Sequence, residues 1–226
     1  MEVLPAIDAT FFADLQRETM FHIVRHAESE GNVTMRMQGH DNQPLTARGR
    51  RQAALAGRWF RPGSVGRVFC SPLDRAYESA RIICDEAGFP QPELDPLLIE
   101  LDTGRFSGLT FEEARARYPL EYARFQAISW EAVPEAETVA SLLSRSRRAW
   151  LRLKTAAIES ASDVLAVTHG GTIQWLVRIT FGATSWMPLI TAGNCGIFRL
   201  LVIPNGPGQP AYLQWKEFNL MPGDAE

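Results

Sequence analysis

Apolar positions along this chain come in two rhythms: short unbroken runs, and longer stretches in which they return every three or four residues. The runs at residues 21–24, 65–70, 94–101 and 164–168 have the length and apolar character of strands. Helical periods lie between them. Thr46 can cap a helix reaching about residue 60, with Ala53, Leu55, Ala56, Trp59 and Phe60 as its apolar side. Ser71-Pro72 offers an N-cap and a first-turn proline for a helix to about residue 87. Thr110 and Glu113 form a capping box for a helix to residue 118, and Pro119 starts another to about 128. Thr138 caps the longest helix, to about residue 159, whose Leu142, Ala149, Trp150 and Leu153 read as core. One more helix is expected over 172–181.

Two last runs, 195–202 and 211–218, flank Pro204-Asn205-Gly206-Pro207-Gly208 and form an antiparallel hairpin. Strands alternating with helices in this order predict an α/β fold, a three-layer α/β/α sandwich whose mostly parallel sheet carries an antiparallel edge strand. Neither a repeat nor a linker interrupts it, so residues 1–226 read as a single domain. Residues 1–19 are an N-terminal extension with a short helix expected around 11–17. Residues 102–137 read as a helical insertion placed to roof a pocket.

Composition narrows the partners. A formal net charge of -3 argues against nucleic acid and anionic membrane surfaces, which need a basic face. Of 23 basic residues only Lys154 and Lys216 are lysines, so the cations are almost all arginine, the bidentate partner of phosphate and carboxylate. Cys70, Cys84 and Cys195 are too far apart for a disulfide framework or a zinc spacing, which points to a reducing, cytoplasmic setting. The first 20 residues lack the basic and apolar regions of a signal peptide. Oligomeric state is left open.

Chemistry gathers where the apolar runs end. The first delivers Arg25-His26 to its carboxyl end, where ligands collect in open α/β sheets. Arg75 falls in the first turn after the second run, Glu100 ends the third, and His169 follows the fourth. Singly, each has a plain structural reading; four strand ends offering such groups together do not. The loop 27–44, rich in Ser29, Asn32, Gln38, Gly39 and His40, is of the length that usually carries function. His22 lies inside its strand and reads as structural. No clustered ligand set calls for a metal, and no cofactor is expected.

These residues resemble the motifs of the histidine phosphatase superfamily, in the branch of phosphoglycerate mutase-like phosphatases. Arg25-His26-Ala27 matches its Arg-His-Gly motif, with Glu28-Ser29 and Asn32 at the family spacing and alanine in place of the glycine. Gln38-Gly39, Pro44-Leu45-Thr46, Ser71 to Arg75, Glu100 to Gly108 and Thr168-His169-Gly170-Gly171 match its later blocks. The resemblance implies a phosphoglycerate mutase-like fold and a metal-independent phosphomonoester hydrolase. His26 would be the nucleophile, Glu100 the proton donor with Asp102 as second choice, and Arg25, Arg75 and a protonated His169 would stabilise the transferred phosphoryl group. Ser29, Asn32, Gln38, Gly39 and Gly170 would join these in holding the substrate, a small phosphorylated molecule. The acid-phosphatase branch carries an Asp directly after its second histidine; Gly170 stands there, which favours Glu100. Mutases of the family carry a tyrosine three residues after the glutamate and a lysine soon after, where this chain has Thr103 and Phe111. Phosphoglycerate mutase-type transfer and a non-catalytic phospho-ligand module are the alternatives.

Overall fold

A computed structural model describes residues 6–223. Six strands form one sheet: β1 (Thr19–Arg25), β2 (Val65–Cys70), β3 (Glu93–Leu94), β4 (Asp163–Thr168), β5 (Ile197–Ile203) and β6 (Tyr212–Leu220). Their order is β3-β2-β4-β1-β5-β6, with β3, β2, β4 and β1 parallel and β5 and β6 added antiparallel. The mixed α/β sheet expected from the sequence is thus present.

Side chains alternate across the sheet with the period of two that strands impose. Phe21, Ile23, Val164 and Ala166 enter one core with Trp150 and Leu153 of α6 (Val139–Ser160) and Ile173 and Leu176 of α7 (Gly170–Arg178). Val24, Leu165 and Val167 enter the other with Ala53 and Ala56 of α2 (Ala47–Trp59) and Ile83 and Cys84 of α3 (Asp74–Ala87). The chain also forms the short α1 (Glu30–Val33) and the pair α4 (Phe111–Arg117) and α5 (Pro119–Ile128), which pack around Phe106 in a cluster apart from these two. Thr46, Thr110 and Thr138 cap α2, α4 and α6 as the sequence indicates. The three cysteines are free and buried. Among the described residues, no helix is long and apolar enough to cross a membrane.

Three expectations change. Residues around 11–17 form turns instead of a helix, because the Asp8 carboxylate accepts from the Thr10 and Phe11 amides and holds the chain in a local turn. Residues 6–18 are part of the core: Ile7, Phe11, Phe12 and Leu15 are buried, and Lys154 Nζ donates to the Phe11 carbonyl at 2.9 Å. Residues 1–5 of the extension lie outside the described residues. The run 94–101 is a strand only at Glu93–Leu94, since Asp95 caps a 3₁₀ turn opened by Pro96, which has no N–H for a ladder. Helix α7 begins at Gly170, two residues earlier than its apolar pattern indicates.

His22 gives the fold a measurable pH dependence. It is 4% exposed, lies edge-on to Phe60, and neither of its ring nitrogens has a partner. Burial first, and the charge of Arg199 second, push its pKa down to about 3. An unfolded chain takes up this proton near pH ~6.5 and the folded chain does not, so the stability it contributes is full above that pH and lost on acidification. Urea unfolding should show a loss from His22 of about 2 kcal/mol between pH 7 and pH 5. His22→Phe should recover most of that difference; an unchanged pH dependence would assign it to other groups.

Candidate active site

The register of the sheet brings the ends of three strands to one edge. Arg25 pairs with Thr168 across β1 and β4, and Cys70 with Val167 across β2 and β4, so His26, Ser71 and His169 leave the sheet side by side. The His26 amide donates to the Thr168 carbonyl at 2.8 Å, and the Ala27 amide donates to Ser79 Oγ of α3 at 2.9 Å. The turn after β1 is held from both sides. The alanine in place of the family glycine fits there fully buried.

His26 Nδ1 lies 2.7 Å from the Ala27 carbonyl oxygen. A carbonyl can only accept, so Nδ1 carries the proton and Nε2 keeps its lone pair. The His169 ring stands 5.0 Å away, centroid to centroid. Its Nε2 is 2.7 Å from Ser71 Oγ, while its Nδ1 has no partner. Burial first, then neighbouring positive groups including Arg25 and Arg75, push both histidines well below the usual imidazole value. In the free protein both rings are therefore neutral near pH 7, whereas the family resemblance implies a protonated His169.

Two arginines face them. Arg75, 1% exposed, donates to the Asp41 and Gly39 carbonyls at 2.7 and 2.9 Å; Arg25 donates to the Ala192 carbonyl at 2.6 Å. The Nε of each has no partner, and among the described residues neither arginine forms an ion pair with a carboxylate. Burial, the larger cause, lowers the pKa of both. A buried and a half-buried guanidinium whose hydrogen bonds go to carbonyls, with Glu100 near but in no ion pair with either, keep positive charge for an anion. Gly39 bends at φ 48°, and a Cβ there would lie 2.6 Å from Thr103 Oγ1, so the carbonyl that aims Arg75 depends on glycine.

Ser29 is placed differently from its expected role. It is fully buried and does not line the pocket; its Oγ lies 3.0 Å from Asn32 Oδ1 and 2.9 Å from Gln38 Oε1. Asn194 Nδ2 also donates to Asn32 Oδ1, at 3.0 Å. With both amide oxygens engaged, the NH₂ groups of Asn32 and Gln38 remain as donors on the pocket wall. Gly170 lines the pocket as well.

Glu100 sits in extended chain after the 3₁₀ turn, and its carboxylate caps α7. Oε1 accepts from the Leu101 and Thr172 amides at 2.9 and 3.1 Å, and Oε2 from Gly171 at 3.2 Å. Gly171 is needed for this approach, since a Cβ would come within 2.7 Å of Oε1 and 2.0 Å of Leu101. Asp102 is turned away, accepting from the Gly104 amide at 2.8 Å. His40, on the exposed side, contacts the Glu100 carbonyl at 2.9 Å.

Together these groups floor a pocket of about 570 Å³. Arg25, His26, Arg75, Glu100, Asn32, Gln38, Gly39 and Gly170 all line it, and His169 lies just beneath. The sequence did not reveal Asn194 or the contact of Ser71 with His169. Ser71 resembles a helix cap, but α3 starts at Asp74 with Leu73 before it, and the hydroxyl is turned to His169 instead. Among the described residues, no group of three or more His, Cys, Asp or Glu could hold a metal.

Proteins similar to this chain in sequence or in fold are numerous. A family model described as the histidine phosphatase superfamily (branch 1) matches residues 21–212. A probable phosphoglycerate mutase, GpmB, of Enterobacter is 30% identical over 185 residues, covering 79% of this chain and 83% of that protein. Bifunctional protein Rv2228c of Mycobacterium tuberculosis is 34% identical over 168 residues, 74% of this chain but 45% of its own, so the chain spans a little under half of that relative. The solved structure of mycobacterial glucosyl-3-phosphoglycerate phosphatase superposes with a TM-score of 0.74 at 24% identity, covering 90% of this chain and 99% of that one. A match that starts in β1 and ends where β6 begins makes this chain a member of the histidine phosphatase superfamily, branch 1.

Proposed function

We propose that the protein hydrolyses phosphomonoesters through a phosphohistidine on His26. The observation that carries this reading is the His26 tautomer: its Nδ1–H is committed to the Ala27 carbonyl, so Nε2 is a neutral nucleophile on the pocket floor beside two unpaired arginines. Attack by Nε2 forms the N–P bond as the ester P–O bond breaks. Glu100 in its protonated form gives its proton to the departing alkoxide, and the resulting carboxylate takes one back from the water that attacks phosphorus and releases phosphate and His26. Arg25 and Arg75 stabilise the equatorial oxygens as charge spreads over them.

His169 serves without being a cation. Ser71 Oγ accepts from the Leu73 amide at 3.3 Å and is free to donate its own proton to His169 Nε2. That leaves Nδ1–H, which has no other partner, to donate to a phosphoryl oxygen. The free cysteines and the net charge of -3 support a reducing compartment and a small phosphorylated substrate.

Hydrolysis is preferred over mutase transfer because no lysine precedes Lys154 and Thr103 and Phe111 occupy the mutase positions. Two arginines and a histidine supply the charge stabilisation that other phosphatases take from a divalent ion. Turnover of p-nitrophenyl phosphate should therefore be unchanged by EDTA, and phosphate release should far exceed interconversion of 3- and 2-phosphoglycerate. Activity lost to the chelator and restored by a divalent ion would overturn the first expectation. Mutase turnover faster than phosphate release would overturn the second.

A further inference from the structure

We infer that the alcohol carried by the phosphate is uncharged and apolar, an aryl-alkyl or bulky alkyl group, and that the outer pocket is its binding site. This rests on the hydrolase reading above and names the substrate class of the same site. Above the phosphate-binding floor the wall is formed by Met35, Phe111, Trp130, Trp186, Leu189 and Ile190. Three of these stand at the rim with much of their surface in water: Met35 is 71% exposed, Leu189 55% and Phe111 46%. Large apolar side chains gathered around the mouth of a polar site are costly to leave wet, and an apolar ligand covers them.

Most polar groups of the outer wall are already engaged; the buried indole N–H of Trp186, which has no partner, is the exception. Arg36 is the one pocket-lining cation besides Arg25 and Arg75 among the described residues, and it pairs with Glu113 at 2.8 Å while donating to the Gly108 carbonyl at 2.6 Å. Gln174 spends both ends of its amide on the backbone of Ile190, accepting from its N–H at 2.9 Å and donating to its carbonyl. Thr103 Oγ1 is bonded to Ser107 Oγ at 2.7 Å. A carboxylate or polyhydroxylated leaving group would find few free partners here and would lose its hydration without return.

The apolar wall is also held in place. Gln174 fixes Ile190, and Arg25 fixes Ala192, so the segment 183–193 is tied to α7 and to the phosphate-binding arginine itself. Met35 is kept at φ 51°, a conformation rarely adopted by residues other than glycine, at the end of the bridge between Arg36 and Thr110. An apolar side chain is thus maintained at the rim in a strained backbone.

The test uses the full chain and two esters of alcohols with similar leaving ability, 2-phenylethyl phosphate and glycerol 3-phosphate, with 3-phosphoglycerate as the charged case. The phenylethyl ester should show kcat/KM about 100-fold above the other two. Phe111→Ala and Leu189→Ala, both at exposed positions where folding is not at stake, should narrow that ratio to roughly 10-fold. Equal efficiencies, or a preference for 3-phosphoglycerate, would overturn the apolar assignment. Rapid alkaline denaturing quenching with each radiolabelled ester separates the two levels of the argument. Label on His26 without a preference removes the leaving-group inference alone, and no label with any ester removes the hydrolase reading together with it.

Discussion

His26→Ala should lower turnover by roughly 10⁵-fold or more and abolish the acid-labile phosphoenzyme, because no second group is placed to form a covalent bond to phosphorus. His169, the other histidine on this edge of the sheet, has its Nε2 bound to Ser71 and lies fully buried beneath the floor. With Nε2 accepting from Ser71, its Nδ1 carries the ring proton and has no lone pair with which to attack phosphorus. The variant should fold, since His26 contributes one hydrogen bond, to the carbonyl of its own neighbour, and the turn is fixed by the backbone bond to Thr168 and by Ser79. Loss of the ring also removes a neutral histidine from between two cations, so the acid side of the stability profile should flatten, with the same sign as for His22. A circular-dichroism melt and a rapid alkaline denaturing quench with radiolabelled p-nitrophenyl phosphate measure both. Radiolabel retained by a well-folded His26→Ala protein would transfer the nucleophile to another residue.

How far the sequence carries the reading depends on the distance over which each feature is determined. Strands β1, β2 and β4 are visible as apolar runs because both faces of each are covered, and that burial is written into consecutive residues. The groups at their ends follow from chain order alone, which is why Arg25, His26 and His169 could be named before any coordinates. Asn194 could not, and Ser71 is legible only as a helix cap and a motif position, without its contact to His169. Asn194 reaches Asn32 from 162 positions away because β5 pairs with β1, and Ser71 meets His169 across 98 because β2 pairs with β4. Ser29 carries a motif position but acts behind Asn32 and Gln38, a role that only side-chain geometry distinguishes. The segment before β1 fails for another reason: its apolar residues at 7, 11, 12 and 15 have helical spacing, yet Asp8 diverts the backbone and the core takes them from turns.

Glu100→Gln should separate proton transfer from positioning, and its expected cost is about 10²–10⁴-fold on an alkyl phosphate. The carboxylate does two things at once. It accepts from the amides of Leu101, Gly171 and Thr172, and it lines the pocket beside the arginines. Glutamine keeps an acceptor for Leu101 and Thr172 but turns an NH₂ towards the Gly171 amide, two donors facing, at a stability cost of about 1 kcal/mol. If that local change were all, every substrate would suffer alike. If Glu100 supplies the proton, the loss must follow the leaving group: p-nitrophenolate departs readily without help and an alkoxide does not. Turnover of 2-phenylethyl phosphate should therefore fall far more than that of p-nitrophenyl phosphate. Because the same carboxylate then activates water, phosphohistidine should also accumulate on quenching when the aryl ester is used. Equal losses on the two esters, with no build-up of phosphoenzyme, would take the proton from Glu100 and leave it the task of holding the start of α7 against the pocket.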